Sequence, residues 1–193
     1  MYFQNAKKGE EDPLISLRTR KARVVGKWKI KSGTVKHAGD FYYATTGQPI
    51  KKYTIIYSEN SYESMTESPN YFNFLTGSLS YEVEFKKDGG YVATSVYNNM
   101  STDVSKGTWN FTGKVGGHKN KEQILIHLTF QSYSYTGPSS ANSNSTAFEG
   151  NKNDVTYYIK ELRNKKMVLD SEDSATDPSG NATTYNSSLT FIQ

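Results

Sequence analysis

Both tryptophans of the chain stand in the same local pattern, two residues after a glycine and at the start of an alternating stretch. The first reads Gly26-Lys27-Trp28 and the second reads Gly107-Thr108-Trp109. Glycine lets a chain turn or approach another backbone closely, and an apolar residue at every second position is the periodicity of a β-strand. The repeated pattern therefore predicts two strands of a small antiparallel β-barrel or sandwich whose ends are sealed by large aromatic side chains.

The composition supports an all-β domain and excludes several kinds of chemistry. The 193 residues include fifteen Tyr and nine Phe, which favour strands, and this length can bury a core without disulfides or metal. There is no Cys, which excludes thiolate catalysis and thiolate metal sites. The net charge is +4, and the basic residues are densest at 18–31. This segment is either a solvated face or a contact with phosphate or a membrane surface.

The clearest element is a hairpin over residues 81–97. Apolar and charged residues alternate from Tyr81 to Lys86, and Asp88-Gly89 follows them. Asp-Gly is typical of tight hairpin turns because both positions tolerate a positive φ. We expect the second Gly-x-Trp strand to come next, at about 105–112.

Other parts of the chain predict a short helix, further strands and two long loops. Residues 1–12 resemble the remnant of an expression tag followed by a flexible tether. Asp12-Pro13 could start a helix that runs to about Ala22. Polar segments near 35–78 and 136–152 are expected to be long loops. Further strands or hairpins are expected at 24–31, 53–57, 122–135, 154–172 and 184–192.

These elements predict one domain over residues 13–193. Eight or nine antiparallel strands linked mostly by hairpins favour an up-and-down barrel with a short N-terminal helix, because closure removes exposed strand edges.

In order and spacing, these motifs resemble the lipocalin-like domains of Bacteroidetes cell-envelope proteins. Those domains carry a Gly-x-Trp first strand, a Phe-x-x-Asp-Gly-x-Tyr hairpin and a second Gly-x-Trp strand. The matching segments here are Val25–Ile30, Tyr81–Tyr91, Gly107–Trp109 and the closing hairpin Tyr157–Leu169.

The resemblance implies a calyx-like barrel that is exported to the periplasm or outer-membrane surface and is often lipid-anchored. Membrane contact is then expected only through an N-terminal lipid anchor that this sequence does not include, and the missing Cys would fit a chain that begins just after a lipidated residue. Lipocalins proper place an arginine late in the chain to stack on the first-strand tryptophan. No arginine follows Arg163, so small-lipophile transport does not carry over.

Motifs for catalysis, metal binding or nucleic-acid binding are weak. His37, His118 and His127 lack ligand spacing. Glu82 and Glu84 share one strand face and could serve acid–base chemistry, but a solvated outer face accounts for them better. Aromatic residues follow strand alternation rather than a base-stacking pattern. We therefore expect no enzyme activity, no cofactor, no metal site and no nucleic-acid partner.

The barrel interior is the remaining candidate site. A barrel of this size is either filled by side chains or holds one small ligand, and the sequence leaves both open. One hypothesis is a small apolar or amphipathic ligand in a cavity of ~300 Å³ or more. The other is a filled barrel whose loops contact a protein or a glycan at the cell surface. The side chains expected to point inward are aromatic: Trp28, Phe85, Phe111, Phe130, Tyr157 and Phe191.

Overall fold

The computed structural model describes residues 19–42, 49–113, 122–148, 154–163, 165–176 and 182–193. They form one short helix and eleven strands. The elements are α1 Arg20–Val24, β1 Gly26–Tyr42, β2 Pro49–Ser58, β3 Ser61–Ser68, β4 Tyr71–Phe85, β5 Gly90–Tyr97, β6 Ser101–Gly113, β7 Gln123–Thr136, β8 Ala141–Ala147, β9 Asp154–Leu162, β10 Lys166–Thr176 and β11 Ala182–Ile192. The helix expected at 13–22 and the tether at 1–12 lie largely outside the described residues; the described helix begins after the N-cap Thr19.

The strands form a closed antiparallel barrel. Ten of them follow one another around the wall, from β1 to β7 and then β9, β10 and β11, which pairs back with β1. Strand β8 lies outside this ring and, among the described residues, pairs only with β7. The expected all-β barrel is confirmed, but the expected count of eight to nine strands is wrong.

The difference in count comes from the two segments that were expected to be long loops. Within 35–78, the one strand expected at 53–57 is part of β2, and this segment also completes β1, forms β3 and begins β4; 136–152 contains β8. Alternation reveals a strand only where one of its faces is buried, and every residue of β8 is exposed. The sequences of β3 and β8 therefore indicated loops rather than strands.

The barrel is narrower at one end than at the other. At the narrow end, β1 pairs directly with β4, with Gly26–Lys29 opposite Glu82–Phe85. Further along, the β2–β3 hairpin lies between these two strands, and we call this the wide end. Residues 171–176 of β10 pair only with β11 among the described residues, so the wall is also less complete on that side.

Large apolar side chains fill the narrow end. Trp28, Phe85 and Phe191 are each at most 2 % exposed, and the Phe85 ring meets Trp109 edge-on at 5.4 Å. Burying an aromatic side chain in this way contributes several kcal/mol in favour of folding, on the order of 3–5 by truncation experiments. This end of the barrel is a packed core.

Both tryptophans satisfy their indole N–H groups with backbone carbonyls. Trp28 Nε1 donates to the Val24 carbonyl at 2.8 Å, and Trp109 Nε1 donates to the Lys86 carbonyl at 2.9 Å. The first bond ties α1 to β1, and the second ties β6 to the end of β4. Buried tryptophan is stable in an apolar core when this donor is paired.

The two glycines of the Gly-x-Trp patterns have different reasons to be glycine. Gly26 has φ +141°, a conformation that other residues rarely adopt. At Gly107, a Cβ would lie 2.0 Å from the His127 carbonyl oxygen, so β6 and β7 can approach closely only without a side chain there. The first glycine thus marks the turn into β1, and the second marks a close approach between the paired strands β6 and β7.

Candidate functional site: a tyrosine-lined chamber

Above the packed aromatic residues, the barrel interior changes from apolar to phenolic. A cavity of about 150 Å³, which we call the tyrosine chamber, is lined by Tyr81, Tyr91 and Tyr157 together with Ala93, Ser95 and Asp103. Its floor is aromatic: Phe191 meets the Tyr81 ring at 5.9 Å and Phe85 meets the Tyr91 ring at 5.4 Å. A cavity of this size accommodates a group as large as one benzene ring.

Three phenolic hydroxyls of the chamber have no hydrogen bond to another protein group within the described residues: those of Tyr81, Tyr91 and Tyr157. None of the three is among the fully enclosed side-chain atoms that lack a partner, so each hydroxyl is accessible from the cavity. Hydroxyl groups that converge on a cavity are the kind of polar group that orients a bound small molecule.

Burial controls the acid–base behaviour of these tyrosines. Desolvation raises the pKa of Tyr81, Tyr91 and Tyr157 well above the usual range, and the neighbouring phenols raise it further for Tyr81 and Tyr157. Burial raises the pKa of Tyr57 in the same way. The phenols therefore stay neutral at any physiological pH and act as hydrogen-bond donors or acceptors rather than as bases.

Asp103 is the one charged side chain that lines the chamber among the described residues. It lies on β6, opposite Ser95 of β5 and Tyr133 of β7. Burial raises the pKa of its carboxyl group, and no described residue forms a hydrogen bond or an ion pair with it. A partly desolvated carboxylate without a partner is unusual in a folded protein.

A second cavity, of about 380 Å³, adjoins the chamber between β6, β7 and β8, and we call it the side groove. Asp103 and Ser105 line both cavities, and Gln131, Tyr133, Asn144 and Thr146 complete the polar wall of the groove. Gln131 Nε2 donates to Ser105 Oγ at 3.3 Å. The two cavities together could hold a ligand longer than one ring.

The six aromatic residues expected inside the barrel do not form one site. Trp28, Phe85 and Phe191 belong to the packed narrow end, and Phe111 packs against that core while partly buried. Tyr157 alone among the six lines the chamber. The cavity is thus smaller than the ~300 Å³ expected of a typical ligand site and is lined mostly by other residues.

Phe130 lies on the outer face, and a β-bulge explains why. Lys106 and Gly107 are neighbours on β6, but they pair with Phe130 and Leu128 on β7, so β7 has one extra residue at Thr129. Such a bulge reverses which residues face inward. On that outer face, the Lys106 ammonium lies 5.5 Å from the Phe130 ring centroid. The row of inward-facing residues that begins at Ile124 therefore ends at Leu128 and does not include Phe130.

The titratable side chains singled out in the sequence have structural partners. His127 Nδ1 lies 2.5 Å from the Asp154 carboxylate on the neighbouring strand, and His37 packs edge-on against Tyr185; His118 lies outside the described residues. Glu82 pairs with Lys27 at 3.6 Å on the solvated face. Among the described residues, no group of three or more His, Asp or Glu side chains could hold a metal ion.

The basic residues of 18–31 are largely engaged within the fold. Arg20 pairs with Glu122, Lys31 pairs with Glu59, and Arg23 is buried, its guanidinium donating to the Leu162 carbonyl at 2.8 Å. The buried Arg23 therefore comes from α1, which precedes the first strand. In lipocalins proper, by contrast, the corresponding arginine comes late in the chain.

The sequence interpretation missed Tyr81, Tyr91 and Asp103 as site residues. The signal for Asp103 was present, since it precedes Trp109 by an even number of residues on one strand and so shares its face. Tyr81 was expected on the apolar face of its strand, and Tyr91 was expected only as the start of the returning strand. Their role depends on where the packed aromatic residues end, and alternation does not contain that information.

The tip of the β3–β4 hairpin exposes several large apolar side chains at the wide end. Phe72 is 65 % exposed, and its neighbours Tyr71, Phe74 and Leu75 are also exposed. Phe74 lies opposite Met65 on β3. We call Tyr71, Phe72, Phe74 and Leu75 the aromatic rim.

Comparison with known proteins provides little further information. No protein-family model and no curated protein matches the chain. Among solved structures, a match is the crystal structure of Rv2717c from M. tuberculosis, with 13 % identity and a TM-score of 0.33, covering 92 % of this chain and 99 % of that one. A likeness at this level carries no conclusion about activity. The only described helix, α1, is too short to cross a membrane.

Proposed function

We propose that the chain is a non-enzymatic binding protein that holds a small amphipathic ligand in the tyrosine chamber. The observation that supports it best is the set of hydroxyls on Tyr81, Tyr91 and Tyr157, which converge on a cavity without a partner among the described residues. The motif resemblance to lipocalin-like envelope proteins supports export to the cell envelope and a lipid anchor as part of the same proposal.

The chemistry of the chamber favours an amphipathic ligand over a purely apolar one. Its floor and walls are formed by aromatic rings, which suit an apolar group, while the hydroxyls and Ser95 can form hydrogen bonds. A hydrocarbon would leave these hydroxyls unpaired, which lowers affinity. A ring-sized group that carries at least one polar atom fits both features.

NMR with tyrosine labelled at the ring carbons tests the proposal. Benzyl alcohol serves as a neutral, ring-sized probe. We expect saturable shifts in the ring signals of Tyr81, Tyr91 and Tyr157, assigned with single Tyr→Phe variants, and no shift of the Trp28 indole N–H signal in the packed narrow end. Saturable shifts confined to exposed rings such as Tyr71, or none with any ring-sized probe, would contradict a chamber site.

A cavity-filling variant provides the control. Ala93 lines the chamber, so Ala93→Leu should abolish probe binding while the barrel stays folded. Thr94→Leu adds a side chain of the same size at the next residue of β5, which faces the other side of the strand. Probe binding should survive in that variant. Loss of binding in both variants would point to a general effect on the fold.

A second candidate function rests on the aromatic rim. Soluble proteins rarely expose a contiguous cluster of large apolar side chains unless it contacts something, and aromatic residues are enriched in binding surfaces. In this alternative the barrel is a scaffold and the rim contacts a protein or a glycan.

Truncation of the rim separates the two candidates. The double variant Phe72→Ala/Phe74→Ala should retain benzyl alcohol binding in the chamber, because both side chains are exposed. In a second assay, each variant is tested for attachment to the cell surface. If the rim variant no longer attaches while Ala93→Leu still does, the rim is the functional surface. Equal attachment by both variants would rule the rim out.

A further inference from the structure

The tyrosine chamber has a charge arrangement that narrows the class of ligand. Asp103 lines both the chamber and the side groove, and no Lys, Arg or His lines either cavity in the part of the chain that the structure describes. Lys106, the next basic residue along β6, is exposed and lies over the ring of Phe130 on the outer face. The net charge facing a bound molecule is therefore negative.

The aromatic rings around Asp103 add to the same preference. The chamber places Tyr81, Tyr91 and Tyr157 around the space that Asp103 borders. The face of an aromatic ring attracts a cation, and this attraction is larger in a desolvated site than at the surface. A carboxylate with several ring faces and no bound basic side chain is an arrangement that recognises an ammonium group.

We propose that the ligand of the chamber carries a cationic amine, which pairs with the Asp103 carboxylate while its apolar part packs on the tyrosine rings. This inference rests on the proposed binding function and specifies its ligand class. An organic cation would give Asp103 the charge partner that it lacks among the described residues, and charge-assisted hydrogen bonds are the stronger ones. The side groove gives room for a substituent on the amine.

An acidic ligand is the main alternative for a tyrosine-lined site, since phenols also donate hydrogen bonds to carboxylates. Asp103 argues against it, because two carboxylates in one partly desolvated cavity repel each other. Lys106, the basic residue of the same strand, has its ammonium over the Phe130 ring on the outer face. A carboxylate ligand would thus find no counter-charge in the described lining.

Calorimetric titration with three probes of one size tests the proposal: benzylamine, benzyl alcohol and benzoate. At neutral pH we expect benzylamine to bind about tenfold more tightly than benzyl alcohol, and benzoate to bind more weakly than either. Asp103→Asn, which keeps the shape of the side chain, should remove the advantage of benzylamine and leave benzyl alcohol affinity unchanged. Asp173→Asn, the same change at an exposed aspartate that lines neither cavity, should retain it.

The outcomes separate this inference from the function on which it rests. Equal affinity for benzylamine and benzyl alcohol, unchanged in Asp103→Asn, would overturn recognition of a cation and leave the chamber as a binding site. Tighter binding of benzoate would also overturn it. If none of the three probes binds, both the ligand class and the proposed function fail. Thermal unfolding of each variant shows whether a loss of binding reflects a loss of folded protein.

Discussion

The two ends of the barrel use aromatic residues differently although the same strands build both. At the narrow end, Trp28, Phe85 and Phe191 are packed without a cavity, and the indole N–H of Trp28 is paired with a backbone carbonyl. Further up, the inward positions are occupied by tyrosines such as Tyr81 and Tyr157 that border a cavity. The narrow end is therefore a packed core, whereas the tyrosines above it border a cavity.

The comparison predicts the largest loss of stability at the narrow end. Trp28→Ala should destabilise the fold by about 3–5 kcal/mol, because it removes a fully buried side chain and leaves a cavity. Urea denaturation followed by tyrosine fluorescence measures this. Phe72→Ala, an aromatic truncation at the wide end, should change the free energy of unfolding by less than about 0.5 kcal/mol. Similar losses for both would contradict the contrast between the ends.

A smaller loss of stability is expected where the paired strands β6 and β7 approach each other most closely. Gly107→Ala places a Cβ 2.0 Å from the His127 carbonyl oxygen, so backbone must shift, which destabilises by about 1–3 kcal/mol. Thr108→Ala, at the next and exposed position, should have a smaller effect. Chemical denaturation of both variants checks this, and a neutral Gly107→Ala would show that the strands are not so close.

Alkaline pH should destabilise the fold through the buried tyrosines of the chamber. Burial raises the pKa of Tyr91 in the folded chain, whereas the unfolded phenol ionises near pH 10. Stability is therefore full below about pH 10 and is lost as the pH rises above it, by about 1.4 kcal/mol per pH unit for each such tyrosine. Urea denaturation at pH 8, 10 and 11 measures the slope. Tyr91→Phe should flatten it; an unchanged slope would mean that Tyr91 ionises freely when folded.

The smallest expected difference compares two buried hydroxyls. The Ser187 hydroxyl lies 3.0 Å from that of Ser171 in the buried interior, so Ser187→Ala should destabilise by about 1 kcal/mol because it leaves a partner unpaired. Tyr81→Phe removes a hydroxyl that has no described partner and should be neutral or slightly stabilising. Thermal melts of the two variants measure the difference. A clear loss of stability in Tyr81→Phe would indicate that this hydroxyl is already bonded.

The strands with one buried face were predictable from the sequence, and the polar strands were not. The hairpin over 81–97 reverses at the expected position, where Asp88 accepts a hydrogen bond from the Gly90 amide, although only Gly89 of the Asp-Gly pair has a positive φ. The strand expected at 53–57 is part of β2, whereas β3 and β8 are rich in polar residues, and no residue of β8 is buried. Alternation reports burial rather than extended backbone, so it finds a strand only where the strand covers a core.

The chamber could be predicted only in part, for two physical reasons. The bulge at Thr129 moves Phe130 to the outer face, and an extra residue in a strand leaves no clear trace in composition. The position where packing ends and a cavity begins depends on how side chains from several strands fit together. Tyr157 was expected inside and lines the cavity, whereas the role of Asp103 became apparent only from its surroundings.

Native mass spectrometry of the protein purified from its own host tests the central claim most directly, that the tyrosine chamber binds a small molecule. The account predicts a protein ion heavier than the bare chain by the mass of one small molecule, which is lost on collisional activation and is absent in Ala93→Leu. The bare mass alone for wild-type protein, or the same added mass in wild type and Ala93→Leu, would contradict a ligand in the tyrosine chamber.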